Sequence, residues 1–175
     1  TGGNNTAIGY QASYSSTVAT NNTAVGYQAL YSNTTGTPLE AFGFGALYNN
    51  TTGVNNIAIG YNSLNSNTVG YSNTVVGTSA MRFNISGYAN VAMGVNSLLN
   101  NTTGTYNVSV GYDALQGNTI GVQNMAMGSS ALGSNTTGSN NIAIGDSALY
   151  ANQTGYGNLA MGTGSLQANV AANYN

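Results

Sequence analysis

A chain of 175 residues is long enough for one or two globular domains, yet only 2% of this one is charged and it has no His, Cys or Trp, against about 25% charged residues in an average protein. The ionic side chains are Glu40, Arg82, Asp113 and Asp146, for a net charge of -2. A single Arg supplies neither the basic footprint of a nucleic-acid binder nor a polybasic membrane patch. No apolar run nears the ~18 residues that span a bilayer, and without Cys there is no disulfide framework or thiolate metal site.

Read from the N-terminus, the first predicted element is a short strand, Asn5-Thr6-Ala7-Ile8, ending at Gly9. The same unit then returns without insertion or deletion, in phase with Gly9, Gly26, Gly43, Gly60, Gly77, Gly94, Gly111, Gly128, Gly145 and Gly162, each step 17 residues. The consensus is close to N-T-A-I-G-Y-Q-A-L-Y-S-N-T-T-G-x-x. A period this short excludes helical-repeat solenoids, whose units need about 33 residues or more. It suits one coil of a β-helix or β-roll, predicted to hold two short strands and two turns. The fold class is therefore all-β, a β-solenoid of ten 17-residue coils, forming residues 1–175 as a single repeat domain. At ~4.8 Å between stacked strands, ten coils make a rod on the order of 48 Å long.

Stacking converts each repeat position into a column along the rod. The first glycine column is predicted to turn the chain where a Cβ does not fit or φ is positive. The residue before it is always apolar (Ile8, Val25, Phe42, Ile59, Val76, Met93, Val110, Met127, Ile144, Met161). That column and the Leu column four residues after the glycine (Leu30, Leu47, Leu64, Leu98, Leu115, Leu132, Leu149, Leu166) are expected to fill a narrow core. The position between them, Ala or Ser throughout from Ala12 to Ser165, permits close backbone approach. A second glycine column, Gly36 to Gly155, closes a Thr-Thr-Gly turn. The third coil is the most divergent, with Pro38, Leu39 and Glu40, and is expected to carry a local bulge at a turn that tolerates Pro.

Two asparagine columns stand out. Asn33, Asn50, Asn67, Asn84, Asn101, Asn118, Asn135 and Asn152, continued by Asn169, are expected to form an amide ladder along the axis. A second column runs from Asn5 and Asn22 through Asn56 to Asn175, interrupted at Leu39. Several positions also match N-x-[ST]. An inward ladder amide cannot carry a sugar, so Asn4, Asn21, Asn49 and Asn100 are the better N-glycan candidates, with Thr34, Thr51, Thr102 and Thr136 as O-glycan candidates.

Catalysis recruits His, Cys, Lys or paired carboxylates, and the three carboxylates here occupy three different columns in coils three, seven and nine. No enzyme activity, cofactor or metal is expected; a calcium β-roll needs an Asp that recurs. Tyrosine carries the functional promise. Tyr10, Tyr27, Phe44 and Tyr61 form one aromatic stripe and Tyr14, Tyr31 and Tyr48 another, while Tyr71, Tyr88 and Tyr156 follow the second glycine. Such ladders cover the coil, pack a neighbouring protomer or contact sugars. The regular Thr row also raises an ice-binding reading, weakened because paired threonines adjacent in sequence point to opposite faces when extended.

The segments Asn56-Ile57-Ala58-Ile59-Gly60 with Ser63, and Asn141-Ile142-Ala143-Ile144-Gly145 with Ala148, resemble the head repeats of YadA-like trimeric autotransporter adhesins. Asn22–Gly36 is still more similar to the N-T-A-I-G-Y-Q-A-L-Y-S-N-T-T-G arrays of bacteriophage tail fibres and bacterial surface proteins. The resemblance covers the whole chain. It implies a β-roll that is left-handed in the adhesins, trimeric assembly, and binding to host surfaces or matrix. Neither end carries an atypical capping repeat of the kind solenoids use, so the stretch is expected to belong to a longer array. The functional expectation is an extracellular or cell-surface filament shaft (or virion fibre) that self-associates by end-to-end stacking, as a homotrimer, or both. The alternative is an adhesin module that recognises host or environmental glycans through its tyrosines.

Overall fold

The structure, a computed structural model, describes residues 2–175. Ten strands recur at the predicted spacing: β1 (Thr6–Ile8), β2 (Asn22–Val25), β3 (Leu39–Phe42), β4 (Asn56–Ile59), β5 (Thr74–Val76), β6 (Val91–Met93), β7 (Val108–Val110), β8 (Met125–Met127), β9 (Ile142–Ile144) and β10 (Leu159–Met161). They form one parallel sheet in sequence order. Each strand pairs with the next at an offset of one repeat, as in Ala24↔Ala41 and Ala126↔Ala143. The molecule is a β-solenoid, all-β among the described residues.

Each coil holds one strand, where two were expected. The opposite side is built from consecutive tight turns containing two left-handed residues per coil, such as Gln28 (φ 55°) and Leu30 (φ 54°). The whole Leu column, together with Met81, shares this conformation, from Leu30 to Leu166 (φ 47°). An apolar L-residue held in this region costs about 1–2 kcal/mol, while burying a Leu side chain returns about 1.5–3 kcal/mol. The turn is tolerated because it swings that side chain inward: Leu30, Leu47, Leu64, Met81, Leu98, Leu115, Leu132 and Leu149 are fully buried. The turns stack as regularly as the strands. Gln28 N donates to Tyr10 O of the coil before (2.9 Å), and Leu30 N to Ala46 O of the coil after (3.0 Å).

The core differs from expectation in one column. The inward strand position is the alanine two before the first glycine (Ala24, Ala41, Ala58, Val75, Ala92), together with the Ala/Ser column, the leucines and the asparagines. The Ile/Met column, assigned above to the core, lies on the outer face: Ile8, Phe42, Ile59, Met93, Met127 and Met161 are exposed and Val25, Val76, Val110 and Ile144 half-buried. The reason is parity. Alternate strand residues face opposite sides, so with the small column (Ala, and Val75 or Ser109 in two coils) pointing inward, the residue that follows it must point out.

The two glycine columns have separate causes. At Gly94 φ is +131°, and a Cβ would lie 2.4 Å from Gly111 O of the next coil; the column repeats this geometry up to Gly145. In the second column φ is ordinary, and close approach alone excludes a side chain: a Cβ on Gly104 would meet Asn101 Oδ1 at 2.3 Å and Gly121 O at 2.5 Å. The third coil does not bulge. Despite a cis Thr37–Pro38 bond, β3 keeps full register with β2 and β4.

Candidate functional site

Polar side chains inside the rod are consumed in holding it together. Along the first asparagine column each Nδ2 donates to the Oδ1 of the coil before, from Asn50→Asn33 (3.0 Å) to Asn152→Asn135 (2.9 Å). The same amide donates its other hydrogen to the second-column glycine three residues on, as Asn101 Nδ2 does to Gly104 O (3.0 Å). In the second column Asn90 donates through both its backbone N and its Nδ2 to Asn73 Oδ1 (3.1 Å each), and Nδ2 also reaches Gly104 O (3.0 Å). The two ladders therefore meet on one carbonyl per coil, which has two lone pairs to offer. Two amides clamp the Thr-Thr-Gly turn, and their own carbonyls are satisfied from the following coil, except that the first ladder stops at Asn152, whose Oδ1 is buried without a partner because Asn169 turns its amide to Ala172 O (3.5 Å) instead. Leu39 interrupts the second ladder and leaves Asn22 Oδ1 buried without a partner. Ser16 stands where the first column would place another Asn, and its Oγ is likewise unpartnered.

These bonds settle the sugar question for the buried amides. Asn33, Asn50, Asn101 and Asn135 match the acceptor pattern but are fully buried in the ladder. Asn4 and Asn21 are exposed, in left-handed turns, with Asn4 Nδ2 donating to Asn21 Oδ1 (3.3 Å). Asn49 and Asn100 are half-buried. Thr34, Thr51, Thr102 and Thr136 are half-buried too, and each hydroxyl donates to a carbonyl of the next coil, as Thr34 Oγ1 does to Thr51 O (3.0 Å). Their neighbours Thr35, Thr52, Thr103, Thr137 and Thr154 face solvent, in a row broken by Val69, Ser86 and Ile120. One interrupted hydroxyl row offers no two-dimensional match to an ice lattice. The purified chain is accordingly expected to show no thermal hysteresis in a nanolitre osmometer, and a measurable freezing gap would restore that reading.

The outer surface carries two distinct stripes. The aromatic one occupies coils one to four. Tyr10, Tyr27, Phe44 and Tyr61 stack with ring centroids 5.3, 5.0 and 5.1 Å apart. Tyr14, Tyr31 and Tyr48 stack at 5.2 and 5.0 Å with planes within 4°, and Tyr71 lies on Tyr88 at 4.5 Å. Because the rings lie face on face, interior rings have no free face to offer a sugar. Only the end rings and the phenol edges remain for a ligand, a constraint that spacing alone did not reveal. Near the last coil Tyr156 and Tyr174 meet edge to face at 5.0 Å. Hydrogen bonding and charge repulsion between these phenols raise the Tyr174 pKa, with burial adding slightly.

The second stripe is apolar and was missed. Two strand positions face outward, the Ile/Met column and the one two residues earlier. In the first three coils the latter is polar (Thr6, Thr23, Glu40). From β4 onward it is Ile57, Val91, Val108, Met125, Ile142 and Leu159, interrupted only by Thr74. Over β4 and β6–β10 the outer sheet face is therefore a ribbon of aliphatic and thioether side chains two columns wide. The signal was present in the sequence as an i, i+2 apolar pair flanking an alanine.

Glu40, Asp113 and Asp146 stay apart, and among the described residues no cluster of three potential metal ligands forms. Asp113 accepts from Asn96 Nδ2 and Gln116 Nε2 (3.0 Å each). No helix is long and apolar enough to cross a membrane among the described residues. The fold and its stripes define a protein of the parallel β-solenoid class. No family model, curated protein or solved structure matches the chain.

Proposed function

We propose that this chain is a non-catalytic structural rod, a segment of an extracellular or surface fibre that associates laterally with copies of itself. The carrying observation is the division of labour between inside and outside. Every coil spends its asparagines, small residues and leucines on stacking to its neighbours, while an uncharged apolar ribbon is left on the outer sheet face. By strand spacing the ribbon is about 30 Å long and 10 Å wide, on the order of 300 Å², the size at which exposed apolar patches on single chains serve as contact surfaces. With so few charges on the chain, little electrostatic repulsion opposes two such faces meeting. The resemblance to trimeric adhesin and tail-fibre repeats agrees with this reading.

The test places a charge on the ribbon without touching the core. Ile59 and Met93 are 40% and 43% exposed, so Ile59→Glu combined with Met93→Glu should leave the far-UV circular dichroism of the folded chain unchanged, while any fall in thermal midpoint should depend on protein concentration. In sedimentation velocity the parent chain is expected to run as an oligomer and the double variant as a monomer. A parent chain that remains monomeric at high micromolar concentration sinks the proposal.

A further inference from the structure

The tyrosine stacks offer a covalent chemistry that the rod does not use for folding. We propose that the stacked pairs Tyr10–Tyr27, Tyr14–Tyr31 or Tyr31–Tyr48, and Tyr71–Tyr88 are sites of oxidative dityrosine formation, which stitches one coil to the next.

Their ring centroids lie 4.5–5.3 Å apart with interplanar angles of 16° or less. Rings so placed hold the carbons ortho to the two hydroxyls about one centroid separation from their counterparts, so that coupling needs only a small shift of one ring toward the other. At least one ring of each stack is open to solvent: Tyr10 and Tyr14 are each 64% exposed and Tyr71 43%. Phenol is also the one side chain here suited to cross-linking, since the chain has no Cys and no Lys. Adjacent coils stay in register through hydrogen bonds on every side, so the rings are held together whether or not they react. Coupling within a stack is then effectively unimolecular, an advantage over encounters between chains at micromolar concentration.

The oxidant is a one-electron acceptor of the peroxidase class with hydrogen peroxide. Each phenol gives up one electron and one proton to become a phenoxyl radical. Two radicals join ortho carbon to ortho carbon, and both rings regain aromaticity as the ring hydrogens move to the oxygens. Two tyrosines and one peroxide yield one biphenol and two waters, so the chain loses two hydrogen atoms per bond. A loop of one repeat is closed each time. Such links constrain the unfolded chain as a disulfide does, in a protein whose composition provides no disulfide.

The structure contains its own controls. Tyr61 sits in the first stack but rests on Phe44, which has no phenol. Tyr88–Tyr106 and Tyr156–Tyr174 meet edge to face at 78° and 80°. Neither arrangement places two ortho carbons face to face.

The experiment treats the purified chain with a haem peroxidase and peroxide, natively and in denaturant, and reads dityrosine fluorescence, intact mass and bridged peptides. Expected natively are chains of monomer mass lighter by two hydrogens per bond, with bridges at the stacked pairs. Oxidation of exposed methionines adds oxygen instead and is separable by mass. Combining Tyr10→Phe, Tyr31→Phe and Tyr71→Phe should reduce the intrachain signal to that of the denatured chain. Phe44→Tyr should add a bridge to Tyr27 or Tyr61. Bridges that form mainly between chains or at Tyr112 and Tyr150, which are exposed but belong to none of the stacks above, a native yield no higher than the denatured one, or no bridge from Phe44→Tyr would each overturn the proposal. Because the readout is a bond within one chain, it is independent of whether the rods associate laterally.

Discussion

Gly94→Ala is expected to lower the urea midpoint of unfolding by an amount that solvent-exposed glycines do not approach. Two effects combine at this position. The backbone has φ +131°, which L-residues rarely adopt, and the added Cβ would lie 2.4 Å from Gly111 O, a backbone atom that cannot move without breaking the coil above. Strain at such a φ costs about 1–3 kcal/mol, and forcing an extra carbon into a packed site costs a further 1–3 kcal/mol or so. With a slope of about 1–3 kcal/mol per molar urea, the midpoint should fall by roughly 1 M or more. Gly104→Ala separates the terms, since its φ is ordinary and only the clash with Asn101 Oδ1 and Gly121 O remains. Gly162→Ala gives the converse, φ +113° with nothing within 4 Å of the new carbon. The expected order of damage is Gly94, then Gly104, then Gly162, whose coil is the last of the described stack and whose effect stays local because repeats communicate through nearest neighbours. Equal midpoints for Gly94→Ala and Gly162→Ala would show that the glycine columns are not in the backbone contact described.

The second large effect is expected at Asn101. Its Nδ2 serves Asn84 Oδ1 (2.9 Å) and Gly104 O (3.0 Å), and its Oδ1 receives Asn118 Nδ2 (2.9 Å). Truncation to Ala leaves one buried acceptor and one buried donor short of a partner, at about 1–3 kcal/mol each, so Asn101→Ala should cost on the order of 3–5 kcal/mol by chemical denaturation. Asn101→Asp is more diagnostic. An ionised carboxylate there would face Asn84 Oδ1 and Gly104 O, both acceptors, with desolvation adding to the repulsion, so its folded-state pKa must rise above the unfolded value near 3.9. The protonated form, able to donate, is the one the fold accepts. Stability is then fully present below about pH 4 and is lost as pH rises toward neutrality, because the unfolded chain releases the proton first. Asn101→Asp should unfold at a higher urea concentration near pH 3 than near pH 7, compared with the parent chain at each pH. A pH-independent difference would mean that the ladder amide is not buried between acceptors. The chain itself tolerates such defects: Asn152 Oδ1 is orphaned near the last coil, and Leu39 orphans Asn22 Oδ1 while adding buried apolar surface in its place.

Much of the rod was legible because its geometry is one-dimensional. An indel-free period of 17 residues leaves stacking in register as the only arrangement that serves every coil alike, so solenoid, parallel register, glycine turns and the alignment of tyrosines and asparagines into columns all follow from counting. Which way a column points is a different matter. The apolar residue before each first-column glycine looked like core because it is always Ile, Val, Met or Phe, yet Ala58 is the buried strand residue and Ile59 lies outside. Apolar type does not distinguish a core from an interface, since both remove the side chain from water only when something covers it.

Three further features needed the tertiary structure. The second strand expected in each coil is replaced by turns in which Leu takes positive φ; that is costly in isolation, inward burial supplies the compensation, and burial is not a local property. The bulge expected in the third coil is absent because pairing to both neighbours holds β3 in register against its divergent sequence. The convergence of two asparagine ladders on one glycine carbonyl joins residues three and fourteen positions from that glycine, and only the closed coil brings them together. The sequence by itself determined the period, and with it the parallel stack and the ladders. The tertiary structure alone decided which face of each strand is inside, because a narrow coil takes small side chains in the alanine column beneath the strand, none larger than Val75, and alternation along the strand sends the bulkier neighbours outward.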